Sequence, residues 1–306
     1  MKRFIKDIIL GSCLLFTLLL ICEIFIFPYA SKNTYNYKYS YTQKNADRIA
    51  VLLMGNSYFE NSINPYYLGD SVFDMAVEAR WIYYDKELLN YFVPKMNKLK
   101  TVIFPMGYKI PFFYSHHFYN SDIEIINKSM DYVHEKFMHV WYDRTPEKYF
   151  RYLYVLNGVT SGNRLFSNNV YCDSLGYSCL IGHCNDNWKN EQNINESIIN
   201  NKYAREQVAE YTNYLKDMAK ICQMHNVRFI VVTPPCHDSF NENVRQTGID
   251  ILYGIIEEVR TEYPIEYKDY LKDEEFRADS IYYDCSHMNS IGANLFALRI
   301  KQDFGL

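Results

Sequence analysis

The chain has no surplus of positive charge. Its 306 residues carry 32 Lys and Arg against 36 Asp and Glu, for a formal net charge of -4, and basic residues gather only at the N-terminus. A nucleic-acid partner needs a basic face that displaces counterions from phosphate, so this class of partner is not expected. Paired Cys-x-x-Cys units are also missing. Cys172, Cys179, His183 and Cys184 lie close together in sequence, but the adjacent His183-Cys184 does not fit the ligand spacing of structural zinc sites. His116-His117 has no companion cluster, so no metal and no other cofactor is expected. Disorder is excluded by composition, since 48% of residues are hydrophobic and only 22% charged. Small residues are absent where a processing enzyme would need them: residues 28–30 read Pro-Tyr-Ala, and Cys22 follows Ile21.

The N-terminus that lacks these cleavage signals has an apolar run instead. Lys2, Arg3 and Lys6 precede an uncharged stretch over residues 8–22, and only Glu23 interrupts its continuation to residue 27. A bilayer span takes roughly 20 apolar residues. Residues 1–30 are therefore expected to be an uncleaved membrane anchor with its cationic end cytoplasmic, leaving the remainder extracytoplasmic at the cell membrane. Residues 31–47 are polar and tyrosine-rich without apolar periodicity, and read as a linker. Residues 48–306 make an α/β domain with an insertion at about 109–201.

Val51-Leu52-Leu53-Met54 is an apolar run suited to a parallel strand covered on both faces. Gly55 permits a sharp turn after it, Asn56 tolerates unusual backbone angles, and Ser57 falls at the carboxyl end of the strand. Further strands are expected at 71–76, 101–104, 227–232 and 265–267. Helices are expected over 81–99 (split by Pro94), 203–225, 249–263 and 291–303, with two more at 123–139 and 146–156 inside the insertion. Asp284-Cys285-Ser286-His287 precedes the last helix. This spacing lets a carboxylate turn back on one imidazole nitrogen and leaves the other for a hydroxyl, the requirement for an activated serine. In a translocated domain a disulfide among Cys172, Cys179 and Cys184, or between Cys236 and Cys285, is the expected use of cysteine.

The turn Gly55-Asn56-Ser57 and the block Asp284-Cys285-Ser286-His287-Met288-Asn289-Ser290-Ile291-Gly292-Ala293 resemble the first and last blocks of the SGNH (GDSL-type) hydrolases. The resemblance covers about residues 48–106 and 203–303. It implies a flavodoxin-like, three-layer α/β/α fold with about five parallel strands, in which Ser57 is the nucleophile, His287 its base and Asp284 the base's partner. The family's second block places an oxyanion-binding N–H where Ala79 stands here. Its third block has Gly-x-Asn, but residues 104–109 read Phe-Pro-Met-Gly-Tyr-Lys, without Asn. Tyr108, Asn64 and Asn56 are the candidate replacements in the oxyanion and substrate site.

An anchored, translocated domain of this kind looks like envelope proteins that move or remove acyl groups. The expected function is that of an extracytoplasmic serine esterase or O-acyltransferase. Its substrate would be an acylated, in the first instance acetylated, surface glycan or a small ester. Thirty tyrosines and nineteen phenylalanines suit stacking on sugar rings. The alternative is a catalytically weak or inactive relative that binds a surface polymer or a membrane acyltransferase partner.

Overall fold

The computed structural model describes residues 2–21, 34–78, 80–113, 170–190 and 204–306. Two compact units divide the chain, residues 1–37 with 132–171 and residues 38–131 with 172–306. In the first unit, α1 (Lys2–Ile21) is a regular helix. Its uncharged part, residues 8–21, rises about 21 Å, short of the roughly 30 Å hydrocarbon core. Among the described residues no helix is long and apolar enough to cross a membrane. The expected span continues to residue 27, and residues 22–33 lie outside the described residues, as do the helices expected at 123–139 and 146–156.

Residues 34–45, expected as an irregular linker, form helix α2 (Thr34–Asn45). Most of α2 belongs to the second unit, and its buried positions are Thr34, Lys38, Tyr39 and Thr42 instead of aliphatic residues. The Tyr39 ring packs on Phe92 at 5.1 Å, and Tyr41 stacks on Phe73 at 4.2 Å. Helical spacing is present, but it is carried by tyrosine, lysine and threonine, which a search for apolar periodicity passes over.

The second unit contains a five-stranded sheet in the order β2-β1-β3-β4-β5. The strands are β1 (Val51–Leu53), β2 (Val72–Asp74), β3 (Thr101–Pro105), β4 (Arg228–Thr233) and β5 (Glu266–Asp269). All four pairings are parallel, with Leu52 opposite both Phe73 and Val102, and Val102 opposite Phe229. The pleat sends Leu53, Val72, Ile103, Ile230 and Val232 to one face, where they join Phe296, Ala297 and Ile300 in a single core. Leu52, Phe73, Val102, Phe104, Phe229 and Val231 alternate with them and are also buried. Strands buried on both faces are what continuous apolar runs dictate in a parallel sheet.

The covering helices are α3 (Ser57–Glu60), α4 (Pro65–Leu68), α5 (Ile82–Phe92), α6 (Ala204–Met224), α7 (Gln246–Glu262) and α8 (Ser290–Phe304). Helices α5 and α7 pack on α6, while α4 packs on α8. Pro94 ends α5, and the chain continues as a single 3-10 turn over Val93–Lys95. Asn226 ends α6 in the left-handed conformation, at φ 56°. Asn289 starts α8 by accepting from the N–H groups of Ile291 and Gly292 at 3.0 and 3.3 Å.

Strand β2 ends on a buried carboxyl group. Asp74 is fully enclosed, with Lys38 Nζ 3.6 Å away, and Lys38 also faces Glu60 at 3.8 Å. Two carboxylates around one ammonium would leave a net negative charge in the interior. Burial pushes Asp74 up to about 7, Lys38 opposes this, Glu60 adds to it, and the Ala76 N–H and Arg80 oppose it again. The folded chain therefore keeps a proton between about pH 4 and 7 that the unfolded chain has released. This contribution to stability is fully present below the unfolded value and is lost as pH rises through 7, by at most about 1.4 kcal/mol per pH unit. Asp85, pushed up to about 6 by burial against the pull of Arg80 and the Gly55 N–H, acts with the same sign at lower pH. Urea unfolding between pH 6 and 7 is expected to show stability falling with pH, and Asp74→Asn is expected to flatten the slope. An unchanged slope in the variant would assign the effect elsewhere.

Candidate active site

In a doubly wound sheet the crevice opens where the strand order reverses, outside the carboxyl ends of the strands. Here that point lies between β1 and β3, and Ser57 follows β1 by four residues. Gly55 makes the turn at φ 110°, a conformation other residues rarely adopt, and a Cβ there would lie 2.4 Å from Pro105 Cδ. The Gly55 N–H donates to Asp85 Oδ1 at 3.1 Å, and the Gly55 carbonyl accepts from Val77 N at 3.0 Å. The turn is thus fastened from both sides. Asn56 then caps α3, its Oδ1 accepting from the Tyr58 N–H at 3.2 Å.

The last block approaches from the other end of the chain. Tyr282 and Met288 bridge across a tight loop, and Tyr283 N donates to His287 O at 2.9 Å. Asn289 closes the base of this loop, its Nδ2 donating to the carbonyls of Ser280 and Tyr282 at 2.8 and 3.1 Å. Within it, Asp284 Oδ1 accepts from the N–H groups of Ser286 and His287, each at 2.8 Å. The Asp284 carboxylate also lies 2.9 and 3.0 Å from His287 Nδ1.

His287 Nε2 lies 3.0 Å from Ser57 Oγ. Ser57, His287 and Asp284 therefore form one hydrogen-bonded chain, although 230 positions separate its first two members. Burial pushes Asp284 up, but the His287 hydrogen bond and charge and the two backbone N–H groups outweigh it, so its pKa lies below the ordinary value. An ionised Asp284 keeps the proton on Nδ1 and leaves the Nε2 lone pair directed at Ser57. The side chains of His287 and Asp284 are 23% and 30% exposed, which leaves the base within reach of solvent and substrate. Such a chain can take a proton from a hydroxyl and return it to a leaving group.

The other candidates are differently used. Ala79 lies outside the described residues. Asn64 caps α4 by accepting from Tyr66 N at 3.2 Å and donates to Asn294 Oδ1 at 2.8 Å, so its amide holds α4 against α8 instead of serving the oxyanion. Asn56 is likewise a helix cap. Tyr108 is buried with its ring edge-on to Phe240 at 5.7 Å, and its hydroxyl is closed off from solvent. Cys172, Cys179, Cys184, Cys236 and Cys285 are thiols, so neither expected disulfide is formed. Among the described residues no group of three or more His, Cys, Asp or Glu is placed to hold a metal ion.

Two contributors were not picked out from the sequence. The Tyr58 ring stacks on the His287 imidazole at 5.6 Å and 22°, and Ser286 Oγ lies 3.2 Å from both Asp284 Oδ1 and His287 Nδ1. Each is a direct neighbour of a triad residue, which was the available signal.

No protein-family model matches the chain, and no curated protein sequence matches it. Among solved structures, a crystal structure from Bacteroides fragilis NCTC 9343 of "a putative acylhydrolase" is 11% identical, with a TM-score of 0.42 over 87% of this chain and 94% of that one.

Proposed function

We propose that the chain is a serine-dependent acyl-transfer enzyme of the SGNH (GDSL-type) kind, an esterase or O-acyltransferase. The observation that supports this reading best is the 3.0 Å contact of Ser57 Oγ with His287 Nε2, backed by Asp284 on Nδ1. As Ser57 Oγ attacks an ester carbonyl, His287 accepts its proton, and the Asp284 charge stabilises the imidazolium. Collapse of the tetrahedral intermediate expels the alcohol, which takes that proton and leaves the acyl group on Ser57. Water or a sugar hydroxyl then gives its proton to His287 as it attacks the acyl carbon, and the second tetrahedral intermediate expels Ser57 Oγ, which takes that proton back. Only this second nucleophile separates esterase from transferase.

The apolar run to residue 27 serves as a membrane anchor with its N-terminus cytoplasmic, and the acceptor is an acylated envelope glycan. A second reading is a triad-bearing protein that binds a surface polymer or a membrane acyltransferase without turnover. The engagement of Asn64 Nδ2 by Asn294 Oδ1 favours it, since one lost oxyanion donor costs about 10²–10³ in rate.

A fluorophosphonate probe separates the two. Wild type is expected to be labelled and Ser57→Ala not, and a membrane-impermeant probe on intact cells or spheroplasts is expected to reach the same serine. A native wild type that takes up no probe would sink the enzymatic reading. Labelling confined to lysed cells would sink the extracytoplasmic placement.

A further inference from the structure

The tract over residues 172–190 touches the chain that supports each side of the triad. On the nucleophile side, Leu175 O accepts from Asp74 N at 2.8 Å, and Gly176, at φ 89°, lies where a Cβ would come 2.0 Å from the Asp74 carbonyl oxygen. Ser178 then meets α3 three times. Its N–H donates to Glu60 O at 3.1 Å, its carbonyl accepts from Asn61 Nδ2 at 2.9 Å, and its Oγ donates to Glu60 Oε1 at 2.9 Å. On the base side, Leu180 O accepts from Ser290 N at 2.7 Å, Cys184 N donates to Tyr283 O at 2.9 Å, and Trp188 O accepts from Cys285 N at 3.1 Å. His183 Nδ1 lies 2.8 Å from Tyr282 O, with its ring stacked on Trp188 at 4.4 Å. The eleven residues 178–188 thus reach from the helix that begins at Ser57 to the loop that carries Asp284 and His287.

Glu60 is the hub on the nucleophile side. It stands three residues after Ser57, in the same single-turn helix. Its Oε2 accepts from Glu78 N at 2.5 Å, so one carboxylate joins α3 to both the tract and the turn after β2. Lys38 faces Glu60 at 3.8 Å and donates to the Ala76 carbonyl in that same turn. A carboxylate 6% exposed is costly to enclose unless its hydrogen bonds are made.

We propose that Glu60 and Ser178 are positioning residues, which lock the 172–190 tract to α3 and so fix the Ser57 hydroxyl against His287. This role rests on the acyl-transfer reading above. Proton transfer from Ser57 needs hydrogen-bond reach, and a displacement on the order of 1 Å can cost about 10²-fold in rate.

The test uses the full chain with Glu60→Ala, Glu60→Gln and Ser178→Ala. An aryl acetate serves as substrate, turnover is expressed per probe-titrated site, and melting temperature is followed alongside. Glu60→Ala and Ser178→Ala are expected to lower kcat per titrated site by ~10- to 100-fold with KM within about twofold. Glu60→Gln should stay within ~3-fold, because its amide can accept from Glu78 N while donating to Ser178 Oγ. A merely structural role would lower the melting temperature and the titrated fraction and leave turnover per site unchanged, which would overturn the proposal. Hydrogen exchange supplies a readout independent of activity. In Glu60→Ala, exchange is expected to quicken over residues 282–290 as well as 175–180. A change confined to 175–180 would overturn the coupling. A wild type that takes up no probe refutes the enzymatic reading, while the exchange result still decides whether Glu60 holds the two halves together.

Discussion

Replacing His287 by alanine is expected to lower ester turnover by roughly 10⁶-fold, the scale on which removal of one triad member abolishes activation of a serine. The imidazole is the only group in the hydrogen-bonded chain that contacts Ser57 Oγ directly, at 3.0 Å, and a serine hydroxyl without a base is a poor nucleophile near neutral pH. The loss should appear in kcat and in the rate of fluorophosphonate labelling alike, since both need the same proton removed. Folding should be little affected, because the His287 side chain is 23% exposed and the loop is held by its backbone and by Asn289. Kinetics of labelling and turnover on purified variant, with a melting curve as control, would decide it. Residual activity within tenfold of wild type would mean that Ser57 is activated by some other group.

Asp284→Asn is expected to cost about 10⁴-fold, chiefly through the tautomer of the base. An asparagine can still accept the Ser286 and His287 N–H groups that Asp284 Oδ1 accepts now at 2.8 Å, so the loop should keep its shape. Its amide N–H₂, however, would face His287 Nδ1 as a donor. The imidazole would then carry its proton on Nε2 and present a donor to Ser57 where an acceptor is needed. The same substitution bears on stability. Because the folded-state pKa of Asp284 is depressed, its ionised form stabilises the fold above the unfolded value near 4, and that contribution is lost as pH falls through the folded value. Turnover measured with a melting curve at neutral pH checks the first claim, and a loss smaller than about tenfold would remove Asp284 from the mechanism.

Much of the frame was legible because its signals are local. The apolar runs at 51–54, 101–104 and 227–232 became β1, β3 and β4 within a residue or two. A backbone buried on both faces of a parallel sheet can be written with little else. Pro94, Asn226 and Asn289 marked helix boundaries through dihedral and capping chemistry that depends on a few neighbouring atoms. The Asp284–His287 pairing was legible for the same reason, since a three-residue loop fixes it almost alone.

What was missed depended on distant chain. Helix α2 is buried through Lys38, Tyr39 and Thr42, whose worth as core residues exists only once Ala76, Phe92 and Asp74 surround them. Asn64 has the chemistry of an oxyanion donor and of a helix cap equally, and its Nδ2 is taken by Asn294, 230 positions away in sequence. Cys236 and Cys285 suggested a bridge by their places in the sequence, but both are buried thiols.

By itself the sequence determined the parallel strands, the glycine turn that presents Ser57, and the carboxylate–imidazole pair before α8. Each is set by the conformational preferences of a handful of contiguous residues. Only the tertiary structure decided that Ser57 and His287 meet, and that one tract fastens both of their supports. Contacts across 230 and 118 positions depend on how the whole sheet closes, which no local preference encodes.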